Sequence, residues 1–175
     1  MLRYTLIIAV LLIATGCDSA GESEDDLLAS GDVVARIDGV EFKSITATAA
    51  VQSNYLTVGS GAARSPGATG LAFTLYPFTG AGTYTLQSGQ TASNAVVTVT
   101  GNGENHIFST ALKGGGAVEV TEITGERVRG TFSFTAQNEA GEVIHVTDGR
   151  FNVRFTQGAG GAQTSLETAA IQALR

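Results

Sequence analysis

The sequence predicts an all-β domain built as an antiparallel β-sandwich. From Val33 to about residue 157, apolar residues recur at every second position, the period at which side chains alternate between the two faces of a strand. Asp38-Gly39, Asn102-Gly103 and Asp148-Gly149 tolerate positive φ and punctuate those runs as hairpin turns would. The 23 glycines against 2 prolines in 175 residues fit many tight turns, and neither a collagen repeat nor a Pro-rich linker. Because 43% of the chain is apolar, there is enough hydrophobic surface to bury one core. The same alternation would serve a lipocalin-like barrel with an internal cavity, so that architecture is the rival.

Residues 1–16 read as an address and not as part of the fold. Met1-Leu2-Arg3 carries one positive charge, Tyr4 to Thr15 is almost wholly apolar, and Gly16 precedes Cys17. The run is shorter than the roughly 20 residues that cross a bilayer, and its layout is that of a signal peptide. Ile13-Ala14-Thr15-Gly16-Cys17 resembles the lipobox of bacterial lipoproteins, with Ala14 where leucine is commonest. The resemblance implies a diacylglyceryl thioether on Cys17, cleavage after Gly16, and a new amino terminus open to acylation. One acyl chain, at ~0.8 kcal/mol per buried methylene, binds a membrane only marginally, whereas two or three hold a protein there. Cys17 is the sole cysteine, which excludes an internal disulfide and a multi-thiolate zinc site. The covalent lipid is thus the only attached group expected, and the membrane the first partner.

Residues 17–32 form the next segment. Asp18 to Asp32 reads DSAGESEDDLLASGD, six acids and no base, a composition that predicts a flexible tether. Fifteen such residues span roughly 20 Å. Six of the sixteen acids lie there and one of the ten bases, Arg3, lies in the leader, which leaves ten acids against nine bases from Val33 on. The net charge of −6 therefore resides in the tether, and no basic stripe invites nucleic acid. In some Gram-negative lineages an acidic run behind the lipidated cysteine accompanies export to the outer face, whereas Asp directly after it favours inner-membrane retention in enteric bacteria. The expected address is the outer membrane or cell surface.

Within residues 33–157, strands are expected near 33–38, 40–50, 52–58, 70–77, 83–87, 94–100, 105–112, 116–122, 126–137, 142–148 and 150–157. The clearest sets Val128, Phe132, Phe134 and Ala136, with Gly130 in their row, against Arg127, Arg129, Thr131, Ser133 and Thr135. Leu71, Phe73 and Leu75 repeat the pattern, as do Ala95, Val97 and Val99, then Val118 and Val120, then Phe151, Val153 and Phe155, with Phe78 and Tyr84 finishing the core. Asn138 to Gly141 reads as a longer loop. Ser60 to Gly70, SGAARSPGATG, has no period and reads as the longest mobile loop, either a crossover between sheets or a place for function. Residues 158–175 hold a Gly158–Gly161 hinge and then a capping box, Thr164 with Glu167, that opens a short C-terminal helix expected to dock on an open end or edge of the sheet.

Gly82-Thr83-Tyr84-Thr85-Leu86, Gly130 to Ala136 and Val146 to Phe151 are similar to stretches in a family of small lipid-anchored β proteins of Gram-negative bacteria with no assigned function. The resemblance covers about residues 33–157 and implies fold and address; it brings no catalytic residues. The two Gly-Thr-aromatic pentads could mark an internal duplication, though either is also what a strand after a turn contains.

Chemical motifs are sparse. His106 and His145 fall inside predicted strands without metal-pair spacing and read as imidazoles satisfied on a sheet face; with Asp148 or Glu104 they would make a weak metal site only if their strands pair. No G-x-S-x-G or S-x-x-K motif occurs, so no catalytic residue and no resident metal are assigned. Arg127 and Arg129, with Thr131 and Ser133, share one strand face, and Arg150 and Arg154 belong to a neighbouring hairpin. Together they offer a cationic, hydroxyl-rich patch for a carboxylate, a sulfated glycan or an acidic partner, unless Glu119, Glu126 and Glu142 balance it. Tyr55, Tyr76 and Tyr84, without any Trp, count mildly against a carbohydrate platform. The expected function is a non-catalytic binding or structural module that touches an envelope protein or glycan. The alternative is an extracellular hydrolase, which would show paired carboxylates about 5 to 9.5 Å apart in a cleft.

Overall fold

The computed structural model describes Leu28 and residues 31–64, 67–89 and 93–156. Cys17, nearly all of the tether and the C-terminal helix expected after Thr164 lie outside the described residues.

Among the described residues ten strands follow one another: β1 (Asp32–Ile37), β2 (Val40–Lys43), β3 (Thr46–Gln52), β4 (Tyr55–Arg64), β5 (Gly67–Leu75), β6 (Gly82–Leu86), β7 (Asn94–Gly101), β8 (Glu104–Ile123), β9 (Arg127–Gln137) and β10 (Val143–Arg154). They make one antiparallel sheet in the order β2-β1-β10-β9-β8-β7-β5-β4-β3, with β6 beside the far half of β8. The all-β class and the antiparallel pairing are as the alternation requires, and the sheet curls into a half-barrel. Asp38-Gly39 and Asn102-Gly103 close two-residue hairpins, with φ of 48° and 77° in one and 53° and 83° in the other.

The curl has a local cause. β2 and β3 are the opposite edges of the sheet, yet only Ser44 and Ile45 separate them in sequence. Ser44 donates its N–H to Val33 O of β1 at 2.9 Å, and Ile45 donates to Gly61 O of β4 at 2.8 Å, so two residues hold both ends of the sheet together. The Ser44 hydroxyl, buried at this corner, accepts the Val33 N–H at 2.8 Å. At the same seam Ala49 of β3 forms a parallel bridge with Phe155, just past β10. Inside the curl Phe73 of β5 meets Phe132 of β9 and Phe151 of β10 at ring separations of 5.6 and 5.2 Å. Strands from distant parts of the chain thus share one core, each buried Phe adding roughly 1.5–3 kcal/mol by leaving water. Phe78 and Tyr84 close it as expected, their rings 5.6 Å apart.

Three expectations give way. Residues 60–64 and 67–70 are strand and not loop: Gly61↔Gly70, Ala62↔Thr69, Ala63↔Ala68 and Arg64↔Gly67 pair as the far ends of β4 and β5. Their Gly and Ala side chains offer too little polarity contrast for a period to show. The strand expected over 40–50 breaks at Ser44-Ile45, where the chain changes edge. The two strands expected over 105–112 and 116–122 are one, β8, which pairs with β7 through Glu104–Ser109 and with β6 through Gly116–Val120. Glycines between those halves allow the passage, since a Cβ on Gly114 would collide with the Thr135 carbonyl oxygen and one on Gly116 with that of Ser133.

Candidate functional site

Asp148-Gly149 does not turn the chain. It lies inside β10, where Val146 pairs with Phe134 and Gly149 with Phe132, so β10 carries one residue more than β9. The same surplus appears on the other side, where Val34 pairs with Arg150 and Arg36 with Thr147. This is a β-bulge in an interior strand, and Asp148 takes the left-handed φ of 53° that it needs. A hairpin of this kind and a bulge both ask for positive φ at the Asp, which is why the dipeptide reads as a turn.

The bulge dents the outer face of the sheet. An open groove of about 900 Å³ crosses it, lined among others by Arg36, Asp148, Arg150, Thr131, Ser133 and Glu119. Register explains the set. Thr83, Glu119, Thr131 and Arg150 occupy one cross-strand row through β6, β8, β9 and β10. Arg36 reaches the groove from β1 and pairs with Asp148, Nε to Oδ2 at 3.6 Å, both side chains largely exposed. The groove thus has guanidinium groups at one end, hydroxyls in the middle and the Glu119 carboxylate beyond them. Such a set can hold a polar chain laid across the strands, with an anionic group received in the fork of an arginine.

The four arginines of the expected patch share the outer face of β9 and β10, for Arg127 pairs with Arg154, Arg129 lies opposite Asn152 and Arg150 opposite Thr131. They do not act as one patch. Glu122 engages two of them, 3.4 Å from Arg129 Nη1 and 3.9 Å from Arg127 Nε. Glu119, Glu126 and Glu142 were the expected partners; the register shift between Val120 and Glu122 in β8 brings Glu122 opposite Arg129 instead. Glu142 turns to Asn138 and to His106. Between Arg150 and Arg154 the buried Asn152 donates Nδ2–H to Leu28 O at 2.9 Å, so the root of the tether lies against this face. Arg150 alone of the four lines the groove, joined by Arg36. Arg36 escaped notice because its neighbour Thr147 is 111 residues away in sequence.

Of the weak metal group, His106 meets Glu104, Nε2 to Oε2 at 3.3 Å, while Asp148 is engaged with Arg36 and His145 donates its backbone N–H to Asp38 at 2.8 Å. Among the described residues no three His, Cys, Asp or Glu side chains gather as metal ligands. Residues 30–153 match the family described as a domain of unknown function, DUF6252. No curated protein and no solved structure matches the chain.

Proposed function

The chain belongs to the DUF6252 family, and we propose that it is a lipoprotein of the cell envelope whose β domain is a non-catalytic module binding an anionic partner. Cys17 carries the lipid, the acidic segment to Asp32 is the tether, and the outer membrane or cell surface is the address. The observation that carries the binding reading is the groove over the β10 bulge, where Arg36 and Arg150 flank the hydroxyls of Thr131 and Ser133. Carboxylates and sulfates are received bidentately by guanidinium and singly by hydroxyl, so an acidic protein segment or a sulfated glycan suits this surface. The scaffold is read as a sandwich, although the Ala49–Phe155 bridge supports the rival barrel. Hydrolysis finds less support, since Asp148 is engaged by Arg36 of β1.

Two measurements test the reading. Mass spectrometry of the protein taken from membranes is expected to find cleavage after Gly16 and a diacylglyceryl group on Cys17; an unmodified thiol there would end the anchor claim. Calorimetry with heparin and with polyglutamate is expected to show binding that weakens with salt and falls about tenfold or more in Arg36→Gln/Arg150→Gln. Unchanged affinity in that variant would remove the groove from the proposal.

A further inference from the structure

A second depression lies on the outer face at the other side of the sheet, and its chemistry differs. Ala50, Thr57 and Thr74 form one cross-strand row through β3, β4 and β5 and make a floor of small side chains. The Thr57 and Thr74 hydroxyls sit 3.4 Å apart on that floor. In the next row Gln52 pairs with Tyr55, and the Tyr55 ring stacks on Tyr76, centroids 4.5 Å apart and planes at 21°. The result is a step, an aromatic wall rising from a floor of methyls and hydroxyls, around a space of about 360 Å³ lined by Ala50, Gln52, Ser53, Tyr55, Thr57 and Thr74.

Three features point to an occupant. None of the described residues that line it is charged, so this site does not select for ions as the β10 groove does. Tyr55 is 41% exposed and its hydroxyl has no hydrogen-bond partner among the described residues, unlike the core Tyr84, whose hydroxyl donates to Gly80 O at 2.6 Å and accepts the Thr79 N–H at 3.1 Å. Finally, a flat ring beside an amide and two hydroxyls matches a ligand that is apolar on one face and hydroxylated at its edge. We propose that this step is a subsite for an uncharged sugar ring of a glycan chain. The sugar packs its C–H face on Tyr55 and exchanges hydrogen bonds with Gln52, Thr57 and Thr74. Tyr76, behind Tyr55, holds the wall upright. The proposal runs against the expectation that three tyrosines without a Trp disfavour such a platform, and it rests on the exposed Tyr55 ring backed by the half-buried Tyr76.

A cross-strand aromatic pair also stabilises a hairpin without binding anything, so the test separates binding from stability. The full chain is titrated with maltohexaose, cellohexaose and chitohexaose, followed by saturation-transfer NMR and calorimetry. At least one oligosaccharide is expected to bind, with about a tenfold or greater loss in Tyr55→Ala and a smaller loss in Thr74→Val, whose fold and melting temperature stay close to the parent's. If Tyr55→Ala proves unfolded, the Thr74→Val and Gln52→Ala variants carry the same comparison. The proposal falls if none of the three sugars binds, if Thr74→Val and Gln52→Ala both bind as the parent does, or if binding is lost in Arg150→Gln, which would move the sugar to the β10 groove.

Discussion

Gly130 shows how much one missing side chain can determine. It stands in the inward row of β9, where Val128 and Phe132 are buried, and a Cβ there would collide with the Glu119 carbonyl oxygen and come within 2.7 Å of Phe151 Cζ. Phe151 is its cross-strand partner, so the ring fills the space the glycine leaves. Gly130→Ala is therefore expected to cost about 1–3 kcal/mol by overpacking. That cost would appear as a fall in Tm of roughly 2–12 °C at about 2–4 °C per kcal/mol; a Tm equal to the parent's would show that the strands can part at no cost. Glu122→Gln is the contrasting case. The Arg127–Glu122–Arg129 cluster is partly exposed, and such pairs contribute about 0–1 kcal/mol, so its Tm should change by no more than about 4 °C. At this scale the sequence is legible where a residue obeys the alternation. Val128, Phe132, Phe134 and Ala136 are buried as read. Glu122 was missed because a register shift, invisible in the chain itself, decides which arginine it faces.

Elements were legible when their ends carry turn chemistry and ambiguous when their middles do. Asp38-Gly39 and Asn102-Gly103 have two residues at positive φ each, whereas in Asp148-Gly149 only Asp148 does, and two residues of that kind close a hairpin while one makes a bulge. Nothing in the dipeptide says which will occur; pairing of β10 with β1 and β9 on both sides settles it. The backbone at Asp148 yields a prediction, because a left-handed φ suits Gly, Asn and Asp and penalises a β-branched residue. Asp148→Val should lose roughly 1–2 kcal/mol in denaturant unfolding, while Asp148→Gly stays within about 1 kcal/mol of the parent even though it forfeits the Arg36 pair. Equal losses in both would mean that the ion pair, and not the backbone, holds the bulge. The Ser60–Gly70 hairpin failed for the opposite reason. Its residues pair mostly with one another across β4 and β5, and because their side chains are equally small on both faces, no alternation marks the strands in the sequence.

Closure belongs to the whole molecule. β1, near the start of the described chain, pairs with β10 at its end, and β10 separates β1 from β9 in the sheet. Alternation and turn residues announce an antiparallel all-β fold, but they are satisfied by any strand order; the order follows from Ser44-Ile45 stepping between edges and from β10 being taken up beside β1. Since the β1–β10 pairs join residues more than 100 positions apart, the chain has to close large loops before they stabilise anything, and refolding should take milliseconds to seconds and not microseconds. The same topology makes β10 indispensable. A chain ending after Glu142 loses the strand between β1 and β9, together with Phe151 from the aromatic contact with Phe73 and Phe132, and exposes two interior strand edges. It is expected to lose native chemical-shift dispersion and to aggregate, whereas a chain ending after Thr156 keeps β1 to β10 and the bond from Thr156 N–H to Ala49 O that holds the seam. Should the shorter chain fold cooperatively, β1 and β2 would have to pack without β10, and the half-barrel would owe its curvature to the β3–β9 portion alone.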